Sequence, residues 1–409
     1  MTPLKGHRSA KPSGAGHVLD GAPTSPLAIL RMDRVERNID RMQQWCREQR
    51  VEVAPHAKTT LAPALLRRQL DAGAWGLTVA NADQARIAIE AGAQTVLIAN
   101  EVVDPTAIRH LASFIESGVR VICYVDSLEG VHILEETLKY THPASRAVLD
   151  VLVEVGIPGA RGGVRDIGEA VAVAQAVAAA SALRMAGVGG YEGMIPRRES
   201  GDSVERVRRF LQGMVECGAR LVNMGLLEGT TRDQAILTAG GSLYFDEVAA
   251  VLAPEGGALQ VPTVVVVRPG CYVTHDDGMY ARLSPHVKRG RGPILEAALV
   301  LWGRVLSRPE PSRLIVDVGR RNASFEHGLP RPLWHRGASG GEVSVFDGKV
   351  DSLSDQHALV DVAETTSLAV VGDWIGFGIS HPCTTFDKWR VMLGVDEAWK
   401  VTEEVVTCF

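Results

Sequence analysis

From Val51 to about Gly270 the chain repeats one pattern: a short Val/Ile/Leu run of strand length, then a longer stretch of helical period, then glycine or another turn residue. The runs are "VEVA" from 51, "GLTVA" from 76, "QTVLIAN" from 94, "VRVICYV" from 119, "VLDVLVEVG" from 148, "LRMAGVGGYEG" from 183, "AILTAGG" from 235 and "VPTVVVVRPG" from 261. Helical stretches fill the intervals. Examples are "NADQARIAIEAG", with apolar Ala85, Ile87, Ala88 and Ile89, and "DPTAIRHLASFIESG", which opens on Asp104 and Pro105. Eight such units over about 220 residues predict an α/β fold of the (β/α)8 TIM barrel type, for which roughly 250 residues is usual. A doubly wound open sheet shows the same alternation, and the count of eight is what favours the barrel.

After about residue 270 the helical period fades, and "RLIVDVG", "GEVSVFDGKV" and "SLAVVGDWIGFGI" predict a smaller, mostly β domain. The expected division is a barrel over 34–270 and a β domain over 271–409. The segment "TSPLAILRMD" (24–33) precedes the first helix and lies outside the barrel count, so it is expected to pair as a strand with the C-terminal domain. Residues 1–23 start basic and lack the apolar stretch of a secretory leader; they read as a mobile tail.

A chain of 409 residues with 46% hydrophobic composition can bury more than one core. The net charge of −5, without a basic face or long charge run, argues against nucleic acid or an anionic membrane as partner. The longest apolar tract, "EAVAVAQAVAAASAL" (169–183), is broken by Gln175 and Ser181 and suits a buried helix better than a membrane span. The six cysteines form no CxxC pair, which points to a reducing compartment and a cytoplasmic location.

Barrel active sites form at the C-terminal ends of the strands, so the residues just past each run carry the interest. Lys58 follows the first run, Glu154 and Arg161 the fifth, Tyr191 the sixth, and "TAGGSLYFDEV" (238–248) the seventh. In that last stretch two glycines and a serine open a helix, which turns bare N–H groups and the helix N-terminus towards one point, as a phosphate cradle requires. A tight turn explains Gly-Gly-Ser equally well, and an ordinary surface lysine explains Lys58 alone. Together they suggest a cofactor with an aldehyde at one end and a phosphate at the other. Pyridoxal phosphate (PLP) has that form, with Lys58 as its Schiff-base lysine. Further on, His381 and Cys383 in "GISHPCTTFDKW" offer an imidazole and a thiolate suited to zinc. On their own, a packed histidine beside a buried thiol is the commoner explanation. His56 either orients Lys58 or is structural, Asp126, Asp276 and Asp317 fit capping and turn roles, and Trp374 and Phe377 fit the β-domain core.

Taken in order, "PHAKT" (55–59), "TAGGS" (238–242), "RPGCYVTHDDG" (268–278) and "HPCTTFDKW" (381–389) resemble the D-serine dehydratase and D-threonine aldolase family. This is the metal-activated branch of the alanine-racemase-like, fold-type III PLP enzymes, and the chain looks like its bacterial amino-acid deaminase subgroup. The resemblance runs over nearly all of the chain from about residue 24. It implies Lys58 as the cofactor lysine, Thr238, Gly240, Gly241 and Ser242 as cofactor-binding residues with the last three at the phosphate, and Arg161 and Tyr191 beside the ring. It also implies His381 and Cys383 as ligands of a catalytic metal, Zn2+ or another divalent ion. The implied activity is a lyase that converts a D-β-hydroxy amino acid, such as D-serine or D-threonine, to a 2-oxo acid and ammonia, and the implied assembly is a homodimer. Retro-aldol cleavage to glycine and an aldehyde, racemisation, and non-catalytic PLP binding are the rivals. In this resemblance a cysteine at 383 goes with dehydratases and a carboxylate with aldolases. The chain departs from the family pattern at Thr60 and Leu61, where many members carry His-Lys, and at Ala54, where arginine is frequent.

Overall fold

The structure is a computed structural model that describes residues 16–20, 24–141, 147–195, 202–228, 234–364 and 369–409. A first strand, β1 (Leu27–Arg31), leads into helix α1 (Met32–Gln49). The eight apolar runs then appear as β2 (Glu52–Val53), β3 (Leu77–Val79), β4 (Thr95–Glu101), β5 (Arg120–Val125), β6 (Leu149–Val155), β7 (Leu183–Gly190), β8 (Ala235–Ala239) and β9 (Thr263–Val267). They form one sheet in the order β2-β9-β8-β7-β6-β5-β4-β3, all neighbours parallel. A parallel bridge between His56 and Thr78, with hydrogen bonds from Thr78 N to Pro55 O and from Trp75 N to Val53 O, joins the two ends of that order. The sheet therefore curls round into a barrel.

The strands are buried on both faces because each separates two apolar layers. Ile122 and Tyr124 point inward with Leu97, Leu152, Ala186, Ile236 and Val266. Val121, Cys123 and Val125 point outward, into the core shared with the helices. Those helices are α2 (Pro63–Asp71), α3 (Ala82–Glu90), α4 (Pro105–Glu116), α5 (Leu128–Thr141), α6 (Ile167–Ala179), α7 (Ser203–Asn223) and α8 (Phe245–Leu252). Their starts are written locally: Asn81, Asp104 and Asp166 cap α3, α4 and α6 by accepting from the amides of Gln84, Ala107 and Glu169. Only a 3-10 turn and two five-residue helices, Met279–Leu283 and Pro285–Arg289, follow β9 before the β domain, and α1 packs there against the Cys271–Val273 turn and α2, supplying the eighth covering helix.

The β domain comprises β10 (Leu299–Glu310), β11 (Arg313–Val316), β12 (Arg331–Arg336), β13 (Ser344–Val345), β14 (Lys349–Leu353), β15 (Ala358–Asp361), β16 (Trp374–Gly378), β17 (Val391–Val395) and β18 (Val401–Val406). Its main sheet runs β13-β12-β16-β10-β1-β17-β18, so β1 lies inside it, antiparallel to β10 and parallel to β17. Two points of the chain thus tie the domains together.

One expectation is corrected. Residues 16–20 fall in the stretch read as a mobile tail, yet they are docked: Val18 and Leu19 are buried in a cluster with Leu27, Trp302 and Leu393. Val18 N donates to Trp399 O at 2.7 Å, and Asp20 pairs with Arg336 at 2.7 Å. Two adjacent apolar side chains find an apolar sheet face, and burying them outweighs the entropy of ordering a short segment. Residues 1–15 and 21–23 lie outside the described residues. Among the described residues no helix is long and apolar enough to cross a membrane.

Candidate active site

The C-terminal ends of the barrel strands open on a cavity of about 220 Å3. Lys58 lines it from the turn Ala57–Thr59 just past β2, with its side chain exposed. The end of β9 comes so close to this turn that a Cβ at Gly270 would collide with Thr59 Oγ1, which is why a glycine stands there. Arg161 and Tyr191 line the same cavity, with the guanidinium 5.0 Å from the ring centroid.

The glycine cradle departs from expectation. Gly240, Gly241 and Ser242 do line the cavity, but the Gly240 and Gly241 amides donate to the buried carboxylate of Glu192 at 2.9 and 2.8 Å. An amide pair near a helix start selects an anion, and the protein supplies its own. Among the described residues the amides of Ser242 and Gly270 make no hydrogen bond within the protein, so the donors left for a phosphate sit one residue later and across on the β9 loop. Thr238 is also corrected. It is fully buried behind the cavity wall, where it accepts from Arg268 Nη1 at 2.6 Å and donates to Val266 O at 2.8 Å. Arg268, which does line the cavity, is further held by Gly190 O at 2.7 Å. Sequence reasoning passed over Glu192 and Arg268, although both stand inside quoted stretches, "LRMAGVGGYEG" and "RPGCYVTHDDG".

Among the described residues, three buried polar atoms without a hydrogen-bond partner belong to cavity-lining residues: His56 Nδ1, Glu101 Oε1 and Tyr124 Oη. Such atoms want a polar ligand. With Lys58 for an aldehyde and two unpartnered amides for a phosphate, the residues present fit PLP. Burial, then the nearby charges of Lys58 and Arg268, hold His56 well below the usual imidazole range, so its ring is neutral. Glu101, Asp126 and Glu154 converge at the rim within 4.8 Å. Burial and a hydrogen bond to Glu101 push Glu154 up to about 8. Asp126 accepts from Gly163 N at 2.9 Å, holding the loop that carries Arg161.

The β domain contributes the remaining wall. His381 and Cys383 both line the cavity. His381 has a left-handed backbone, φ 77°, held by a hydrogen bond from its amide to Asp276 Oδ2 at 2.8 Å. The other oxygen of Asp276 accepts from the Gly278 and Tyr280 amides at 2.9 and 2.8 Å, so one buried carboxylate ties the loop after β9 to the loop after β16. The result is a contact between residues 112 apart: Cys271 Sγ lies 3.4 Å from Cys383 Sγ. Either thiol can donate across this contact. The bonds with Cys271, then with His381 and the Thr59 hydroxyl, outweigh burial and hold Cys383 well below the usual thiol range. Burial would lower His381, but its bonds to Cys383 and Glu326 outweigh that and raise it to about 9.

Comparison with known proteins agrees with this architecture. Residues 30–226 match the alanine racemase N-terminal domain, and residues 298–395 match the putative serine dehydratase domain. The D-threonine aldolase of Arthrobacter sp is 26% identical over 364 residues, 89% of this chain and 86% of that protein. The crystal structure of D-threonine aldolase from Filomicrobium marinum superposes with a TM-score of 0.78 at 28% identity, covering 97% of this chain and 98% of that one. D-threo-3-hydroxyaspartate dehydratase from Delftia sp. HT23 shares the fold, with a TM-score of 0.74 at 20% identity, covering 96% and 99%. A barrel with a lysine past its first strand and a mostly β partner domain defines an alanine-racemase-like, fold-type III protein. Within that class the chain is similar to the D-serine dehydratase and D-threonine aldolase family, and it is a lyase. PLP is the cofactor expected of this family.

Proposed function

We propose that the chain eliminates water from a D-β-hydroxy amino acid such as D-serine or D-threonine, releasing a 2-oxo acid and ammonia with the help of a divalent metal. The observation that carries this is the placement of Lys58 and the His381–Cys383 pair on one small cavity. PLP, when bound, supplies an electron sink for charge that develops at Cα. Lys58 would hold its aldehyde, and its amine would serve as the base for the Cα proton. The Ser242 and Gly270 amides suit its phosphate, and Arg161 and Tyr191 wall the space beside it. His381 and Cys383 would hold the metal, a Lewis acid for a poor leaving group at the β-position.

Retro-aldol cleavage is the second reading, favoured by the D-threonine aldolases that match over most of the chain. The thiol at 383 weighs for dehydration. Purified protein loaded with PLP and Zn2+ and given D-serine, D-threonine and their L-enantiomers decides between them. A 2-oxo acid and ammonia from the D-forms are expected; glycine and an aldehyde, or equal turnover of both enantiomers, would overturn this reading.

A further inference from the structure

The metal corner holds one more donor than His381 and Cys383. We infer that Cys271 is a third protein ligand, so that Cys271, His381 and Cys383 form a two-thiolate, one-imidazole zinc site with a single open position facing the cavity. This rests on the lyase reading only in placing a metal at this wall.

The geometry suits it. One nitrogen of His381 and the two Sγ atoms all lie within 4.8 Å of one another. The sulfurs are 3.4 Å apart. Two thiolates on one tetrahedral zinc, each at about 2.3 Å, stand about 3.7 Å from each other, so a shift of a few tenths of an ångström would admit the ion. Three protein ligands with the fourth position open is the arrangement of catalytic zinc sites, whereas two leave a weak site and four a closed one.

The surroundings prepare each ligand. Glu326 Oε1 is 2.8 Å from His381 Nδ1, which fixes the ring and leaves Nε2 for the ion. Thr384 hydroxyl bonds the same carboxylate oxygen and keeps it in place. Tyr280 reaches the Cys271 sulfur as a hydrogen-bond partner. Asp276 binds amides on both sides of the seam and fixes the spacing between Cys271 and Cys383. Two soft sulfurs favour zinc over manganese or magnesium, which take oxygen donors. The inference therefore names the metal as well as the ligand.

Zinc-loaded holoenzyme gives the test without any need for turnover. X-ray absorption at the zinc edge should count two sulfurs per metal at about 2.3 Å. Cobalt substitution should give a near-ultraviolet thiolate-to-metal band that falls by about half in Cys271→Ala, and zinc affinity should drop about 10-fold or more in that variant, the size of loss known even for residues that only support a ligand. Retained PLP absorbance would show the variant folded. One sulfur per zinc in the wild type, or a cobalt spectrum and zinc affinity unchanged by Cys271→Ala, would return Cys271 to a packed thiol. Manganese binding as tightly as zinc would equally sink the assignment. Two sulfurs per zinc without 2-oxo acid formation would leave this ligand set standing while the dehydratase reading fell.

Discussion

The barrel rim and the seam to the β domain wall the same cavity, yet they place their side chains by different means. On the rim, Lys58, Arg161, Tyr191 and Ser242 each follow a strand by a few residues, and the sheet's register delivers them. At the seam, Cys271, His381 and Cys383 come from two loops far apart in sequence, and their meeting depends on Asp276 and on a close approach in which a Cβ at Gly278 would strike Ser380. A rim residue can thus change with little cost to the fold. The seam carboxylate Asp276 cannot, because the position of the seam's side chains and the packing of the two domains rest on its hydrogen bonds.

Three experiments would break or sharpen that contrast. The largest effect is expected at Lys58: Lys58→Ala should lower kcat by about 1,000-fold or more, since it removes the cofactor amine and a base of the kind worth about 100- to 10,000-fold. Its thermal midpoint should stay within about 2 °C of the wild type, as befits an exposed side chain. A large loss of stability there would mean the rim is no passive scaffold.

Asp276→Ala comes next. It leaves the buried or half-buried amides of Gly278, Tyr280 and His381 without their acceptor, at about 1–3 kcal/mol each before any relaxation. A total loss of about 3 kcal/mol or more in denaturant unfolding is expected, together with weakened zinc binding. If stability fell while metal affinity held, the seam's two roles would be separable after all.

The smallest effect concerns Glu154 on the rim. Its carboxyl is raised from 4.5 to about 8, so the folded protein keeps a proton that the unfolded chain has lost between those values. Stability should therefore be fully present below about pH 4.5 and decline as pH rises towards 8. Glu154→Gln should flatten that decline, read as the difference in thermal midpoint between mildly acidic and mildly alkaline buffer. An identical slope in the variant would show that the Glu101–Glu154 pair does not hold the proton.

Much of the rim was legible in the sequence because strand ends are local features. Eight apolar runs locate eight strand ends, and Lys58, Arg161 and Tyr191 stand just past three of them. Glycine-Glycine-Ser was legible as a turn with donors but not as one already occupied, because the acceptor, Glu192, lies 48 residues before Gly240. Thr238 read as a cofactor residue from its motif, whereas its hydroxyl is committed to Arg268 and Val266, a choice made by side-chain direction within β8.

Period and composition determined the barrel, the β domain and the chemistry offered at each strand end, since hydrophobic alternation and helix caps act over a few residues and need no distant partner. The pairing of Cys271 with Cys383 could only be decided in three dimensions. The six cysteines carry no spacing signal, and the convergence of these two follows from a buried carboxylate, a left-handed histidine and a glycine contact that exist only once the β domain has closed on the barrel.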